Sequence, residues 1–234
     1  MTTIISALQA VKQRIESAAL RAGRAPQDIR LLAVSKTFPA EAVREAFSAG
    51  QSAFGESYVQ EAVGKIAALA DLPLEWHFIG PLQSNKTRLV AGHFDWVHSV
   101  DRAKIAGRLS SARPAHLPPL QVCLEVNVSG EASKGGVAPQ ELEALAAHVS
   151  TLPRLQLRGL MAIPAATDDA ALQRRQFRAV RELLEKLNRK NFRLDTLSMG
   201  MSNDLEAAIA EGATIVRVGS AIFGARNSHL KIEP

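Results

Sequence analysis

The chain has 234 residues, of which 47% are hydrophobic, 22% charged and 5% aromatic. This composition is typical of a globular protein and excludes a disordered or fibrous one. A chain of this length can bury a sizeable core, and barrels of roughly 200–250 residues fold as one domain. The only cysteine, Cys123, excludes an internal disulfide and a cysteine-rich metal site, and it favours a reducing compartment.

No segment is predicted to enter a membrane. Gln9, Lys12 and Arg14 interrupt the apolar residues near the start of the chain. No apolar run approaches the roughly 18 residues that a membrane span needs. We therefore expect a cytoplasmic protein that contacts no membrane.

Much of the formal net charge of +5 lies in one basic segment. Eight Lys or Arg residues and two Glu residues lie within 174–193. Phe177, Val180 and Leu184 recur there at helical spacing, which predicts an amphipathic helix with a solvated basic face. Nucleic-acid binding is the alternative, but no pattern of interleaved aromatic residues supports base stacking. We expect no nucleic-acid partner.

Predicted strands and helices alternate along the whole chain. A helix over about 4–22 comes first and ends near Gly23. Eight strands follow, predicted near 29–35, 52–55, 74–80, 94–100, 120–128, 155–163, 194–200 and 213–219, each with a helical segment after it. Asp101 is the expected N-cap of the helix after the fourth strand.

This alternation predicts a parallel α/β sheet, and eight repeats predict a closed (β/α)8 TIM barrel with an extra N-terminal helix. We expect one domain over residues 1–234. A doubly wound open sheet is the alternative, but no G-x-G-x-x-G follows the first strand.

Two turns at the expected mouth of the barrel are rich in small residues. SMGMSND follows the seventh strand and VGSAIFG follows the eighth. Small residues let backbone N–H groups approach an anion, and these two loops are the frequent phosphate site of this fold. The hydroxyls of Ser202 and Ser220 would add donors. Ordinary helix capping is the alternative.

Lys36 ends the apolar run LLAVSK at the same predicted mouth. Apolar surroundings disfavour the ammonium form of lysine, and a neutral amine can form a Schiff base with an aldehyde. The alternative is a lysine whose amine reaches solvent.

Arg217 is predicted to point into the barrel. In TIVRVG, alternation places Ile215 and Arg217 on one face and the two valines on the helix-covered outside. A buried guanidinium needs an acceptor, such as a ring nitrogen, a carboxylate or a phosphate. A structural partner such as Glu125 on the fifth strand is the alternative.

An amine, a phosphate cradle and an inward arginine together describe a site for pyridoxal 5′-phosphate (PLP). The segments AVSKTFP, FGESYVQE, WHFIGPLQSNK, EVNVSGE, RGLMAI, LSMGMSND and VRVGSAIFG occur in this order. In these segments the chain resembles the YggS/PROSC family, the pyridoxal phosphate homeostasis proteins, from about residue 4 to 226.

The resemblance implies a fold-type III barrel like the N-terminal domain of bacterial alanine racemase, with PLP carried on Lys36 as an internal aldimine. It implies that Arg217 faces the pyridine nitrogen. It also shows a departure, because Ser57 stands where the family usually has Asn. The residues that we assign to the cofactor are Lys36, Ser57, His77, Ser198, Met199, Gly200, Ser202, Arg217, Gly219 and Ser220.

No catalytic residue and no metal ligand is assigned. The six histidines show no ligand spacing, and without cysteine partners a zinc site is not expected. For His77, a structural hydrogen-bonded role is an open alternative to a functional one. Lys134 is a candidate for holding a second phosphate-bearing ligand, with simple solvent exposure as the alternative.

The resemblance implies a protein that buffers or delivers PLP without turnover. An arginine at the ring nitrogen does not readily give up a proton, so the ring would be a weak electron sink. Racemases of this fold carry a second, β-rich domain, for which we expect no room in 234 residues, and we therefore expect a monomer. PLP-dependent apo-enzymes are candidate recipients. Two alternatives stay open: a small PLP-dependent racemase or lyase, and a barrel that acts on a phosphorylated metabolite.

Overall fold

Eight parallel strands pair in chain order and close into a barrel, because β1 also pairs with β8. The strands are β1 (Arg30–Val34), β2 (Ala53–Glu56), β3 (Glu75–Phe78), β4 (Trp96–Val100), β5 (Leu120–Glu125), β6 (Leu155–Met161), β7 (Thr196–Ser198) and β8 (Ile215–Val218). The computed structural model describes residues 3–131 and 134–225. The expected limits of the domain, 1 and 234, and the end of the resemblance at 226 lie outside the described residues.

Helices cover the outside of the barrel. They are α1 (Ile4–Arg21), α2 (Ala40–Ser48), α3 (Val59–Ala68), α4 (Thr87–His93), α5 (Ala103–Ala112), α6 (Leu142–Ser150), α7 (Ala170–Asn188), α8 (Leu205–Ala210) and α9 (Ser220–Phe223). The predicted barrel with an additional leading helix is confirmed, and the β1–β8 pairing excludes the doubly wound open sheet.

Helix α1 forms as its sequence predicts. Thr3 caps its first turn by accepting a hydrogen bond from the Ser6 N–H. Its buried stripe includes Leu8, Val11 and Ile15, and α1 packs against α8, α9 and α2. The chain leaves the helix through Gly23, whose φ of +66° is the left-handed conformation that glycine adopts without strain.

The predicted strands overrun the observed ones at the barrel mouth. The seventh was predicted near 194–200 but is only Thr196–Ser198. Its neighbours Met199 and Gly200 are buried without belonging to the strand, because Gly200 turns the chain with a φ of +93°. Apolar runs therefore mark burial here, and not the length of the hydrogen-bonded strand.

The prediction that Asp101 caps α5 is wrong. The N-cap is Arg102, and no side chain makes a capping hydrogen bond. The Asp101 carboxylate instead accepts two hydrogen bonds from Arg102 Nη1, at 2.7 and 2.8 Å. These charge-assisted bonds are stronger than a bond to a neutral backbone N–H.

The basic helix α7 is amphipathic as predicted, but its basic face is not simply solvated. Arg174, Arg178 and Arg181 converge on Glu211, whose side chain is 1% exposed. Three of the basic side chains therefore tie α7 to the end of α8. Among the described residues, no helix is long and apolar enough to cross a bilayer.

The barrel interior holds two small apolar clusters. One contains Leu32 and Ile215, and the other contains Trp96, Cys123 and Met161. Burial raises the pKa of the Cys123 thiol to about 12. The thiolate, the reactive form, is therefore scarce in the folded protein.

We expect Cys123 to be inert to a chromogenic disulfide reagent in the native protein and to react fully in concentrated urea, since only unfolding exposes it. Thiol titration with and without denaturant measures this. Rapid labelling of the native protein at neutral pH would show that the thiol is accessible and contradict its placement.

Candidate cofactor-binding site

A cavity of about 340 Å³ opens at the carboxyl end of the barrel. Six of the ten predicted cofactor residues line it: Lys36, Ser57, Ser202, Arg217, Gly219 and Ser220. They come from the ends of four strands and from the loops that follow, as expected for a site of this fold. The structure thus brings together the amine, the arginine and three hydroxyl groups that the sequence singled out.

Lys36 stands in a tight turn directly after β1. The next residue, Thr37, has a φ of +69°, a conformation that is strained for a β-branched side chain. Two hydrogen bonds hold the turn, from Phe38 N–H to Ser35 O at 3.1 Å and from Thr37 N–H to Glu61 Oε1 at 2.7 Å. The strain persists because the surroundings fix the backbone on both sides of Lys36.

A buried ion cluster lies next to this turn. The Lys65 ammonium donates to Ser35 O at 2.9 Å, to Glu56 Oε1 at 2.6 Å and to Glu61 Oε1 at 3.0 Å. The Ser35 hydroxyl also donates to Glu56 Oε1, at 2.6 Å. Lys65 and Glu56 are 6% and 0% exposed, so the cluster is held by its own pairing. It fixes the two residues that flank Lys36.

This ion cluster was not predicted from the sequence. Its signal is Glu61 and Lys65, a pair at i,i+4 spacing on α3. Lys65 lies among the buried residues of α3, where an unpaired charge would be costly.

Arg217 points into the barrel as predicted, but its partner is not Glu125. Its Nη1 donates to the carbonyl and the hydroxyl oxygens of Ser198 at 2.6 and 2.8 Å, and its Nη2 donates to Ala162 O at 3.1 Å. Burial lowers the pKa of Arg217 to about 10, with the Glu125 carboxyl opposing the shift. The guanidinium therefore stays charged at neutral pH, and two of its five N–H donors remain for the cavity.

A chain of buried side chains continues inward from Arg217. Ser198 Oγ lies 2.7 Å from His98 Nδ1, and His98 Nε2 lies 2.9 Å from His77 Nδ1. His77 Nε2 lies 3.0 Å from Glu75 Oε1 near the amino end of the barrel. Burial lowers the pKa of both histidines, so both rings are neutral at pH 7.

Glu75 and Arg217, at the two ends of this hydrogen-bonded series of side chains, determine the direction of its hydrogen bonds. Burial raises the pKa of Glu75, but hydrogen bonds from His77 and Arg30 outweigh that effect and bring the pKa to about 2. Glu75 is therefore an ionised carboxylate at neutral pH and can only accept hydrogen bonds. His77 Nε2 therefore carries a proton, and each neutral ring donates on one side and accepts on the other. Arg217 only donates, which leaves the Ser198 hydroxyl to donate to His98. Every bond therefore points from Arg217 toward Glu75.

Four predicted residues do not line the cavity. His77 and Ser198 belong to the interior chain, and Ser198 reaches the cavity only through Arg217. Met199 packs in the core around the barrel. Gly200 holds the backbone of Arg217, because its carbonyl accepts a hydrogen bond from the Arg217 N–H at 2.9 Å. A Cβ at Gly200 would come within 2.5 Å of Ala208 Cβ, so no side chain fits there.

The turns after β7 and β8 offer donors at the rim. Asp204 makes the hydrogen bond that closes the first turn, accepting from the Met201 N–H at 2.6 Å. Within residues 3–131 and 134–225, the Ser202 and Ser220 hydroxyls make no hydrogen bond. A Cβ at Gly219 would lie 3.1 Å from Val34 O, so glycine lets the chain pass close to β1. The hydroxyls are therefore available for an anion rather than used as helix caps.

The residues present fit PLP. The cavity supplies an amine for the aldehyde, hydroxyl and backbone donors for the phosphate, and a cation. Its apolar walls include Val34, Phe38, Ile79 and Ile163, which suit a flat ring. These walls were not predicted from the sequence, although Ile79 and Ile163 come just after the ends of β3 and β6. Asn203, beside Ser202, also lines the cavity without having been predicted.

Lys134 lies elsewhere. Its ammonium is 3.6 Å from Glu131 Oε1, and Lys134 does not line the cavity.

The comparisons with known proteins agree with this geometry. Residues 6–227 match the family model described as "Alanine racemase, N-terminal domain". A pyridoxal phosphate homeostasis protein of Pseudomonas aeruginosa is 65% identical over 227 residues, which cover 97% of each chain. The protein of the same name from Escherichia coli K12 is 55% identical and covers 97% of this chain and 98% of its own. This chain belongs to the pyridoxal phosphate homeostasis protein family.

Solved structures support the same assignment. PipY of Synechococcus elongatus, solved with PLP bound, is 43% identical with a TM-score of 0.80 and covers 92% of this chain and all of its own. An alanine racemase from Corynebacterium glutamicum has a TM-score of 0.68 at 16% identity, covering 97% of this chain and 64% of the racemase. The racemase likeness concerns the fold alone. The predicted family resemblance is confirmed.

We expect Lys65→Met to destabilise the protein by about 3–5 kcal/mol, because it leaves Glu56 buried without its cation. Lys190→Met is the matched control. Lys190 pairs with Glu143 at the surface, where both side chains are about half exposed, so its loss should cost at most about 1 kcal/mol. Urea unfolding of both variants measures this. Equal effects would show that the cluster does not hold the turn.

Glu75 should make stability depend on acid pH. Its pKa is about 2 in the folded protein against an ordinary 4.5, so its stabilising effect is complete above 4.5 and is lost as the pH falls toward 2. We expect Glu75→Gln to flatten the loss of stability across that window, while Glu143→Gln leaves its slope unchanged. Urea midpoints measured from pH 2 to 6 test this. Parallel curves for Glu75→Gln and wild type would contradict the folded pKa.

Proposed function

We propose that this protein binds PLP in the mouth cavity through Lys36 and takes part in PLP homeostasis by holding the cofactor reversibly. The observation that carries the proposal is that Lys36, Arg217 and the hydroxyls of Ser202 and Ser220 line one cavity. Lys36 lies near the start of the polypeptide and the other three residues lie near its end. Closure of the barrel through the β1–β8 pair brings them together.

Each group has a distinct role in the proposal. The Lys36 Nζ forms a reversible covalent bond with the cofactor aldehyde. Ser202, Gly219 and Ser220 receive the phosphate, and Ser57 contributes a hydroxyl where the family usually has an amide. When bound, PLP supplies an aldehyde and an electron-withdrawing ring.

Arg217 supports a holding function over turnover. It stays protonated at neutral pH and can only donate, so a pyridine nitrogen that faces it would remain unprotonated. An unprotonated ring withdraws electrons weakly and does not favour removal of an α-proton. The bonds to Ser198 and Ala162 also keep the guanidinium from moving aside. The curated relatives described above are named for homeostasis and not for an enzymatic activity.

We also propose PLP-dependent apo-enzymes as recipients. A bond between an amine and an aldehyde can be broken by another amine or by water, so Lys36 can retain the cofactor without consuming it. Release then needs only a competitor for the aldehyde carbon.

We expect purified protein mixed with PLP to show a visible absorbance band, and borohydride to fix the cofactor on the peptide that contains Lys36. Lys36→Ala should abolish both, because no other described amine lines the cavity. Lys104→Ala, on the exposed face of α5, should leave both unchanged. Spectroscopy and peptide mass mapping measure this. Fixation on a different lysine would contradict the assignment.

The loaded protein should not exchange the α-protons of amino acids into deuterated water. Proton NMR with a panel of amino acids measures the exchange, and an alanine racemase serves as the positive control. Robust exchange that disappears in Lys36→Ala would favour the racemase or lyase function over holding.

A further inference from the structure

A second chamber of about 360 Å³ opens at the barrel mouth beside the cofactor cavity. The two spaces share Ile79 and Ile163 as walls. Three polar residues of the chamber, Ser99, Asp101 and Glu125, come from the ends of β4 and β5 or just beyond. The cofactor cavity, in contrast, is built mainly on β1, β7 and β8. The function proposed above uses none of the three.

Two polar groups in the chamber have no hydrogen-bond partner among the residues that the structure describes. Ser99 is 3% exposed, and its hydroxyl makes no hydrogen bond to any described residue. No side chain or backbone group in 3–131 or 134–225 donates to the Glu125 carboxyl. Asp101 differs, because it forms an ion pair with Arg102 at 2.7 Å. Buried polar groups in native proteins are nearly always satisfied, so a ligand is the natural partner of the Ser99 hydroxyl. The Glu125 carboxyl is half-buried and lines the same chamber, where it can accept from the same ligand.

We propose that this chamber binds the ammonium group of a primary amine, with Glu125 as its carboxylate partner and the Ser99 hydroxyl as a second acceptor, and that the bound amine displaces Lys36 from PLP. The inference rests on the function proposed above. An ammonium group offers three donors and a positive charge, which match a carboxylate and a hydroxyl. The alkyl part of the amine meets Ile79 and Ile163.

Glu125 also has the acidity that the exchange needs. Burial, followed by the neighbouring Asp101, raises its pKa to about 7, and Arg217 opposes the shift. A carboxyl group that titrates near neutral pH can take up a proton and return it. A bound ammonium would transfer its proton to Glu125 and become a nucleophilic amine.

The exchange balances without any other reactant. The amine nitrogen forms a bond to the aldehyde-derived carbon of the cofactor, and the bond from that carbon to Lys36 Nζ breaks. The proton that Glu125 accepted and the two hydrogens left on the amine nitrogen go to Lys36 Nζ, which leaves as the ammonium side chain. Nothing is oxidised or reduced, and the cofactor departs joined to the incoming amine.

The test follows cofactor release from PLP-loaded protein at increasing propylamine concentration, by absorbance and ultrafiltration. We expect the wild-type release rate to rise and then saturate, since propylammonium occupies a site. In Glu125→Gln the rate should be at least about tenfold lower and should rise linearly. Glu143→Gln removes an exposed carboxylate with the same change in charge and should behave as wild type. A wild-type rate without saturation, or a Glu125→Gln rate equal to it, would overturn the inference.

A second measurement needs no cofactor. Propylammonium titrated into PLP-free protein should shift the carboxyl carbon resonance of Glu125, and Ser99→Ala should weaken the binding. Borohydride fixation on Lys36 without propylamine tests the proposed function separately. Fixation without amine saturation would reject only the chamber. Absence of fixation would reject the cofactor site, while the PLP-free titration would still decide whether the chamber binds amines.

Discussion

Arg217 is a cation enclosed by the barrel, and the interior is organised around satisfying it. Its partners Ser198 and Ala162 come from the ends of β7 and β6, and the chain then passes through His98 and His77. Because each ring is neutral, every bond in the chain has one direction, and the negative end lies at Glu75 near the amino end of the barrel. The arginine therefore reaches the mouth cavity in a fixed orientation, with its charge intact.

A second buried ionic system holds the other side of the site. Lys65 joins Glu56 and Glu61 to the backbone on either side of Lys36, and the strained φ of Thr37 is the result of that constraint. The first system fixes the guanidinium of Arg217, and the second fixes the backbone on both sides of Lys36. Between them lies a cavity with apolar walls and hydroxyls at its rim, which suits a flat aldehyde with an anionic tail.

The site was only partly predictable from the sequence. Lys36, Ser202, Arg217 and Ser220 could be placed because strand ends of a barrel meet at one mouth. His77 was harder, because alternation puts it inside the barrel but does not say toward which end its ring points. Its contact with Glu75 turns it away from the cavity. The partners of Arg217 could not be predicted, because Glu125 and Ser198 both lie on strands that face the same interior.

The sequence by itself determined the eight β/α repeats, the leading helix, the inward arginine and the family, because strand and helix periodicity and motif order are local properties of the chain. Only the tertiary structure decided which buried charges pair with which, where Ser198, Met199 and Gly200 end relative to the cavity, and that Ser99 and Glu125 line a separate chamber. Those outcomes depend on distances of a few ångströms between residues far apart in the chain. Barrel closure fixes such distances, and no local pattern records them.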